Sequence, residues 1–370
     1  LFLTLLHKNI FYSYYKQTKM TLEKRIIAFS KLGGFLKEFI NNKSETYDDF
    51  EYSNTFYEGL THQIKLANES NGWFTRSNIY FALEGWANLL TNINLKEWVH
   101  NQLTDINTNP KTIALILAGN IPLVGFHDFL SVLVSGHNVL IKLSSNDKHI
   151  LPYLAEILKY LEPEFTNKIK FNNEKLVNYD AVIATGSNNT ARYFEYYFKN
   201  KSGIIRKNRN SIAILNGIES IEDLKNLTKD IFQYYGLGCR SISKLFVPKD
   251  YNFDLLFNAI YEWRDIINET KYSNNYDYNK AVYLMSEFDF LDNGFFMIKE
   301  DQSLSSPIAS IFFEYYDDQF QLKSRLHQLE EQIQCIVSND DTHINFGKTQ
   351  TPELWDYADQ INTIEFLSRL

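Results

Sequence analysis

Thr112-Ile113-Ala114-Leu115-Ile116-Leu117-Ala118-Gly119-Asn120-Ile121-Pro122 is an apolar run that stops at a glycine, an asparagine and a proline. A short run of this kind, bounded by turn formers, reads as a strand covered on both faces, the condition of a strand in a parallel sheet. The signature returns along the chain, and strands are predicted at 113–118, 139–143, 181–185, 212–215, 245–247, 281–285, 295–298, 308–313 and 333–337. Amphipathic segments fill most of the gaps, so the predicted class is α/β, with parallel sheets covered by crossover helices. Residues 20–109 read as mainly helical, broken at Asn71-Gly72-Trp73-Phe74, and 363–367 reads as a last strand that could pair with another element or another subunit.

A second stretch, Tyr234-Tyr235-Gly236-Leu237-Gly238-Cys239-Arg240-Ser241, joins a helix-like amphipathic run (221–235) to a short strand (244–247). Gly236 and Gly238 let the backbone come close to a substrate carbonyl, and a helix start or the Arg240 guanidinium would lower the pKa of the Cys239 thiol toward the reactive thiolate. The competing reading is a small buried hydrophobe, the usual fate of a free cysteine. The other cysteine, Cys335, lies inside the apolar run 333–337 and fits that competing reading.

The chain has 370 residues, 44% of them hydrophobic, which is enough for two or three domains. A formal charge of -8 and the lack of a basic stripe exclude nucleic acid held by phosphate neutralisation. Only local basic clusters remain, and the chief one, Arg206-Lys207-Asn208-Arg209, reads as a solvated turn or a phosphate site. Two distant cysteines make no disulfide framework and the eight histidines fall in no ligand spacing, so no metal and a reducing, cytoplasmic setting are expected. No apolar run approaches the ~20 residues of a membrane span. Residues 1–19 read as translated upstream sequence ahead of Met20, which opens an amphipathic helix.

Four segments, in order, resemble the aldehyde dehydrogenase superfamily and, within it, the LuxC-like fatty acyl-CoA reductases. Ala118-Gly119-Asn120-Ile121-Pro122 is similar to the Asn-x-Pro turn whose asparagine amide helps form the oxyanion hole. Read from the residues alone, the same turn could simply cap the next helix. Ser135-Gly136-His137-Asn138-Val139-Leu140-Ile141-Lys142-Leu143-Ser144 is similar to the strand whose lysine contacts the cofactor ribose, with Leu143 in place of the family's proline. Val182-Ile183-Ala184-Thr185-Gly186-Ser187 is similar to the strand that ends beside the dinucleotide, although it is also an ordinary strand-to-helix turn. Gly236-Leu237-Gly238-Cys239 is similar to the loop of the acyl-accepting cysteine, with Leu237 in place of glutamine. The tail from Phe346 to Asp359 resembles the C-terminal region of the LuxC-like proteins, so the likeness covers roughly 70–370.

The resemblance implies an aldehyde dehydrogenase-like fold: a parallel-sheet cofactor domain (20–217), a thiol-bearing α/β domain (218–345), and a segment (346–370) that returns to the cofactor domain or to a partner subunit. It implies Cys239 and Asn120 as catalytic, with Lys142, Ser144, Ser145, Gly186 and Ser187 at the cofactor. Ser145 stands where NAD-preferring relatives carry a ribose-gripping glutamate, which points to NADPH, with NADH possible. Ile205-Arg206-Lys207-Asn208-Arg209-Asn210 stands where hydrolytic relatives carry a water-activating glutamate, so reduction of an acyl-CoA to an aldehyde is implied in place of hydrolysis. An acylating enzyme acting on short acyl-CoA or acyl phosphate, or a scaffold subunit without turnover, are the rival readings. A homo-oligomer is implied, and an acyl-activating enzyme as a further partner.

Overall fold

The computed structural model describes residues 20–41 and 54–370; residues 1–19, read above as upstream sequence, lie outside them. Among the described residues, four helices lead in: α1 (Leu22–Asn41), α2 (Asn54–Ser70), α3 (Arg76–Leu89) and α4 (Asn92–Val99). Thr75 and Thr91 start the last two, each hydroxyl accepting a backbone N–H that the first turn cannot otherwise satisfy.

The first sheet is wholly parallel. Its strands are β1 (Thr112–Ile116), β2 (Asn138–Lys142), β3 (Ile169–Phe171), β4 (Ala181–Thr185) and β5 (Ser202–Arg206), in the order β3-β2-β1-β4-β5. Alternate residues face opposite sides. Ile113, Leu115, Val139 and Ile141 bury against the N-terminal helices, α5 (Phe126–Val134) and α6 (Ile150–Leu161), while Ala114, Val182 and Ala184 pack under α7 (Asn188–Phe198). The strand order reverses at β1 and β4, and ligands of such sheets bind at the carboxyl ends of the strands there.

Only Lys207, Asn208 and Arg209 separate β5 from the second sheet. That sheet comprises β6 (Asn210–Ile214), β7 (Ile242–Pro248), β8 (Phe290–Asp292), β9 (Met297–Glu300), β10 (Ser310–Tyr316) and β11 (Ile333–Val337), ordered β11-β6-β7-β10-β9-β8. All pairs are parallel save β8 with β9. The passage between sheets therefore precedes the predicted cut at 217/218, because β6 pairs with β7 and β11 and not with β5. Helices α8 (Ile221–Phe232), α9 (Asp254–Ile260) and α10 (Thr270–Met285) cover one face, and α11 (Gln319–Leu329) the other.

Two predicted strands are helices. Residues 281–285 end α10, whose buried residues Tyr272, Tyr276, Asn279 and Tyr283 recur at helical spacing, while Leu284 and Met285 are exposed. Residues 363–367, expected as an oligomerisation strand, lie in α12 (Thr363–Ser368): Asn362 caps it and Ile364 and Leu367 bury against α5 and its neighbours. Strands β3, β5 and β8 escaped prediction because they are short and carry polar or exposed residues.

Candidate active site

Helix α8 begins with a capping box, Ser220 and Asp223 each bonding the other's backbone, and stops at Phe232. Tyr234 (φ 56°), Tyr235 (φ 58°) and Gly236 (φ 74°) then follow in the left-handed region, which a tyrosine disfavours and a glycine does not. Packing holds the two tyrosines there. Tyr234 meets Phe81 edge-on, Tyr235 lies between Trp73 and Tyr272, and Gln233 Nε2 donates to Asn78 Oδ1 at 2.8 Å. The N-terminal helices thus brace the turn that presents Cys239.

Beyond it, Gly238 N donates to Ser241 Oγ (3.2 Å) and Ser211 Oγ donates to Cys239 O (2.9 Å), fixing the thiol's backbone at the start of β7. Cys239 is half-buried on the wall of a cavity of about 440 Å³, which Tyr272, Tyr278, Phe296, Asn279 and Ser243 also line. Burial pushes its thiol up to about 11, and Arg240 opposes that shift without overcoming it. This corrects the expected low pKa: Arg240 spends its donors on Asp356 O (Nη2, 2.7 Å) and Cys335 Sγ (Nη1, 3.3 Å). Cys335 is buried in β11 as expected.

Asn120 is brought to the thiol turn from the other sheet. Its Nδ2 donates to Leu237 O at 2.7 Å, two residues before Cys239, and it does not cap α5, whose start lies at Gly125. Ile121 lies beside Gly238, where a Cβ would come within 3.7 Å of its Cδ1.

The other singled-out residues lie along the carboxyl edge of the first sheet. Lys142 ends β2, half-buried and without an ion pair among the described residues. Ser144 Oγ accepts Asn146 N at 3.2 Å, and Ser145 is exposed. Gly186 leads into Ser187, the N-cap of α7, whose hydroxyl accepts Thr190 N at 3.3 Å. The first-turn N–H groups of α7 and the Lys142 ammonium together give this edge the positive character an anionic group needs. The cluster Arg206-Lys207-Asn208-Arg209 does not form a phosphate site. Arg206 is buried in an ion pair with Asp128, Lys207 pairs with Glu195 (2.7 Å), and Arg209 with Asp359 (3.4 Å).

A sequence profile of the acyl-CoA reductase (LuxC) family matches residues 36–256. The chain belongs to this family. It is 22% identical over 297 residues to the long-chain acyl-protein thioester reductase of Aliivibrio fischeri, across 74% of this chain and 60% of that protein, so it spans about three-fifths of that relative's length. Its fold is that of the aldehyde dehydrogenases. Aldehyde dehydrogenase 21 of Physcomitrella patens, in complex with succinate, superposes with a TM-score of 0.61 at 13% identity, over 87% of this chain and 74% of that one. The NAD+ complex of an aldehyde dehydrogenase from Bacillus cereus gives 0.60 at 14%, over 87% and 73%.

Three polar residues that bond to the turns around this candidate site were not legible in the sequence. Asp230, fully buried in α8, accepts Gly347 N (2.6 Å), Thr349 N (3.0 Å) and Thr349 Oγ1 (2.8 Å), and so clamps the tail beside the thiol turn. Gln350, next along, reaches Ser241 Oγ at 3.4 Å. Asp147, in the loop after β2, accepts Leu123 N at 2.9 Å. A polar residue on a buried helical face is the only mark Asp230 leaves in the sequence; Asp147 and Gln350 sit in polar turns and leave none.

Proposed function

We propose that this protein reduces an activated acyl thioester, acyl-CoA or a related donor, to an aldehyde through a thioester on Cys239, with NADPH as reductant. The observation that carries the reading is the meeting of Asn120 with the Cys239 turn at the wall of the cavity. The carboxyl edge of the first sheet fits a dinucleotide: Lys142 is free to meet a ribose, α7 offers N–H groups to phosphate, and Ser145 leaves the edge without the carboxylate that would repel a 2′-phosphate. NAD+-bound relatives in fold support a nicotinamide cofactor.

The Cys239 sulfur, once deprotonated, attacks the acyl carbonyl and expels the donor thiolate. Asn120 Nδ2 gives one hydrogen to Leu237 O and would offer its second, with the Cys239 N–H, to the oxygen as it gains charge; a donor so placed is worth about 3 kcal/mol of barrier. A nicotinamide cofactor held along the carboxyl edge by Lys142 and the N-terminus of α7 would supply the hydride, and Cys239 would be the group that leaves as thiolate when the aldehyde is freed. Arg206 and Arg209 sit in ion pairs on the segment where hydrolytic relatives keep a general base, so that segment provides no group to activate water. A second reading, a short or polar acyl group, draws on the mixed lining of the cavity, where Asn210, Ser241, Ser243 and Asn275 stand among the aromatic rings.

The test is mass spectrometry of protein incubated with an acyl-CoA chain-length series without NADPH. The expected result is an acyl adduct on Cys239 that NADPH releases as aldehyde, and the preferred length decides between the two acyl readings. An adduct on Cys335, or none at any length, overturns the proposal.

A further inference from the structure

The turn after β1 and the loop after β2 press together. Gly119 has no room for a side chain, since a Cβ there would lie 2.6 Å from Ser144 Cβ and 3.1 Å from Asp147 N. Asn146 N donates to Ser144 Oγ and Asp147 N to Ser144 O, both at 3.2 Å, so the loop closes on itself and turns Asp147 inward. Asp147 is 7% exposed; its Oδ2 accepts Leu123 N at 2.9 Å, and its Oδ1 has no partner among the described residues. Leu123 is held at φ 57°, a conformation that a leucine side chain disfavours and that needs an external hold. Three residues back along the same turn, Asn120 Nδ2 reaches Leu237 O. A continuous link therefore runs from the loop carrying Ser144 and Ser145, through Asp147 and Leu123, to Asn120 and the Cys239 turn.

Resting on the thiol and oxyanion roles proposed above, we propose that Asp147 is the positioning residue that keeps Asn120 aimed at the reacting carbonyl of the acyl group on Cys239. The carboxylate touches neither thiol nor acyl group and acts through Leu123 N. Without this acceptor the buried N–H loses its partner and Leu123 relaxes out of the left-handed region, carrying Asn120 off the thiol turn. Burial raises the Asp147 carboxyl to about 6, with the Leu123 N–H as its one opposing contact, which matches a group held for its geometry and not for an ion pair. Nothing in the polar sequence Ser144-Ser145-Asn146-Asp147 separates it from its neighbours; only the fold does.

The experiment makes Asp147→Ala and Asp147→Asn, alone and with Asn120→Ala, and measures kcat, KM and hydrogen exchange at the Leu123 amide. Asp147→Ala is expected to lower kcat about tenfold with KM for the acyl donor little changed, the pattern of lost transition-state contact. Asp147→Asn, which keeps an acceptor oxygen, is expected to restore most of kcat and the amide's protection. In the Asn120→Ala background, Asp147→Ala is expected to add nothing. Full additivity, a protected Leu123 amide in Asp147→Ala, or a raised KM for NADPH with kcat intact would each overturn the assignment. Cys239→Ser serves as the separate control: if it still reduces acyl-CoA, the functional reading falls, while amide exchange continues to report whether Asp147 holds the turn.

Discussion

A thiol raised to about 11 is a poor nucleophile at neutral pH, so Cys239 depends on whatever lowers its charge penalty. Arg240 is the largest contribution in that direction, although its guanidinium is shared with Cys335 and Asp356. Alkylation of Cys239 by iodoacetamide should therefore climb with pH throughout the range 7 to 10, and Arg240→Ala should shift that curve to higher pH. An unshifted curve would mean that the guanidinium's charge is spent elsewhere. The proposed preference for NADPH also turns on one residue, Ser145. A carboxylate about 4 Å from a phosphate costs on the order of 4 kcal/mol per unit charge at an effective dielectric near 20, so Ser145→Glu should weaken NADPH more than NADH. Lys142→Ala should weaken both, and titration of each variant with both dinucleotides reads the ratio directly.

Among the elements, the tail turn and helix α8 show how a buried charge can be matched by backbone. Asp230 is fully buried, and burial raises its pKa, yet three donors from Gly347 and Thr349 converge on it. Asp230→Ala strands those donors, and should cost roughly 3 kcal/mol in urea denaturation, against about 1 kcal/mol for Thr349→Val, which removes one bond. Equal losses would show that the hydroxyl alone matters. Elements with a continuous apolar run were legible in the sequence because burial on both faces leaves no polar residue to blur them, as in β1 and β4. Residues 281–285 and 363–367 misled because β-branched and apolar side chains suit a strand and a buried helix face alike; the Asn362 cap and the helical spacing of Tyr272, Tyr276 and Tyr283 decided otherwise. At the candidate site, Cys239 and Asn120 were singled out in the sequence through the resemblance of their glycine- and proline-punctuated turns to those of a known family, and the fold brings those two turns together. Asp147, Asp230 and the left-handed tyrosines were not, since each owes its place to a partner distant in sequence.

Across the whole molecule, the tail ties the second sheet's helix α8 to the first sheet and its helices. After the Asp230 clamp it crosses back to the first sheet, where His127 Nε2 donates to Leu354 O (2.9 Å), Trp98 Nε1 to Tyr357 Oη (2.8 Å) and Arg206 Nη2 to Thr363 Oγ1 (3.0 Å). Leu354, Ile364 and Leu367 are all but fully buried there. Three such side chains contribute roughly 5–9 kcal/mol by burial, comparable to the net stability of a whole domain. Removing the tail would also open the Asp128–Arg206 pair, whose Arg206 charge is penalised by burial and sustained chiefly by Asp128. Deletion of residues 353–370 is therefore expected to yield a protein that aggregates or unfolds well below the intact chain, as followed by thermal melting and size-exclusion chromatography. A segment that only bridged subunits by edge pairing would, on deletion, leave a folded protomer of unchanged melting temperature. That outcome would contradict the buried, intramolecular helix α12, because the energy it contributes within its own chain is too large to lose silently.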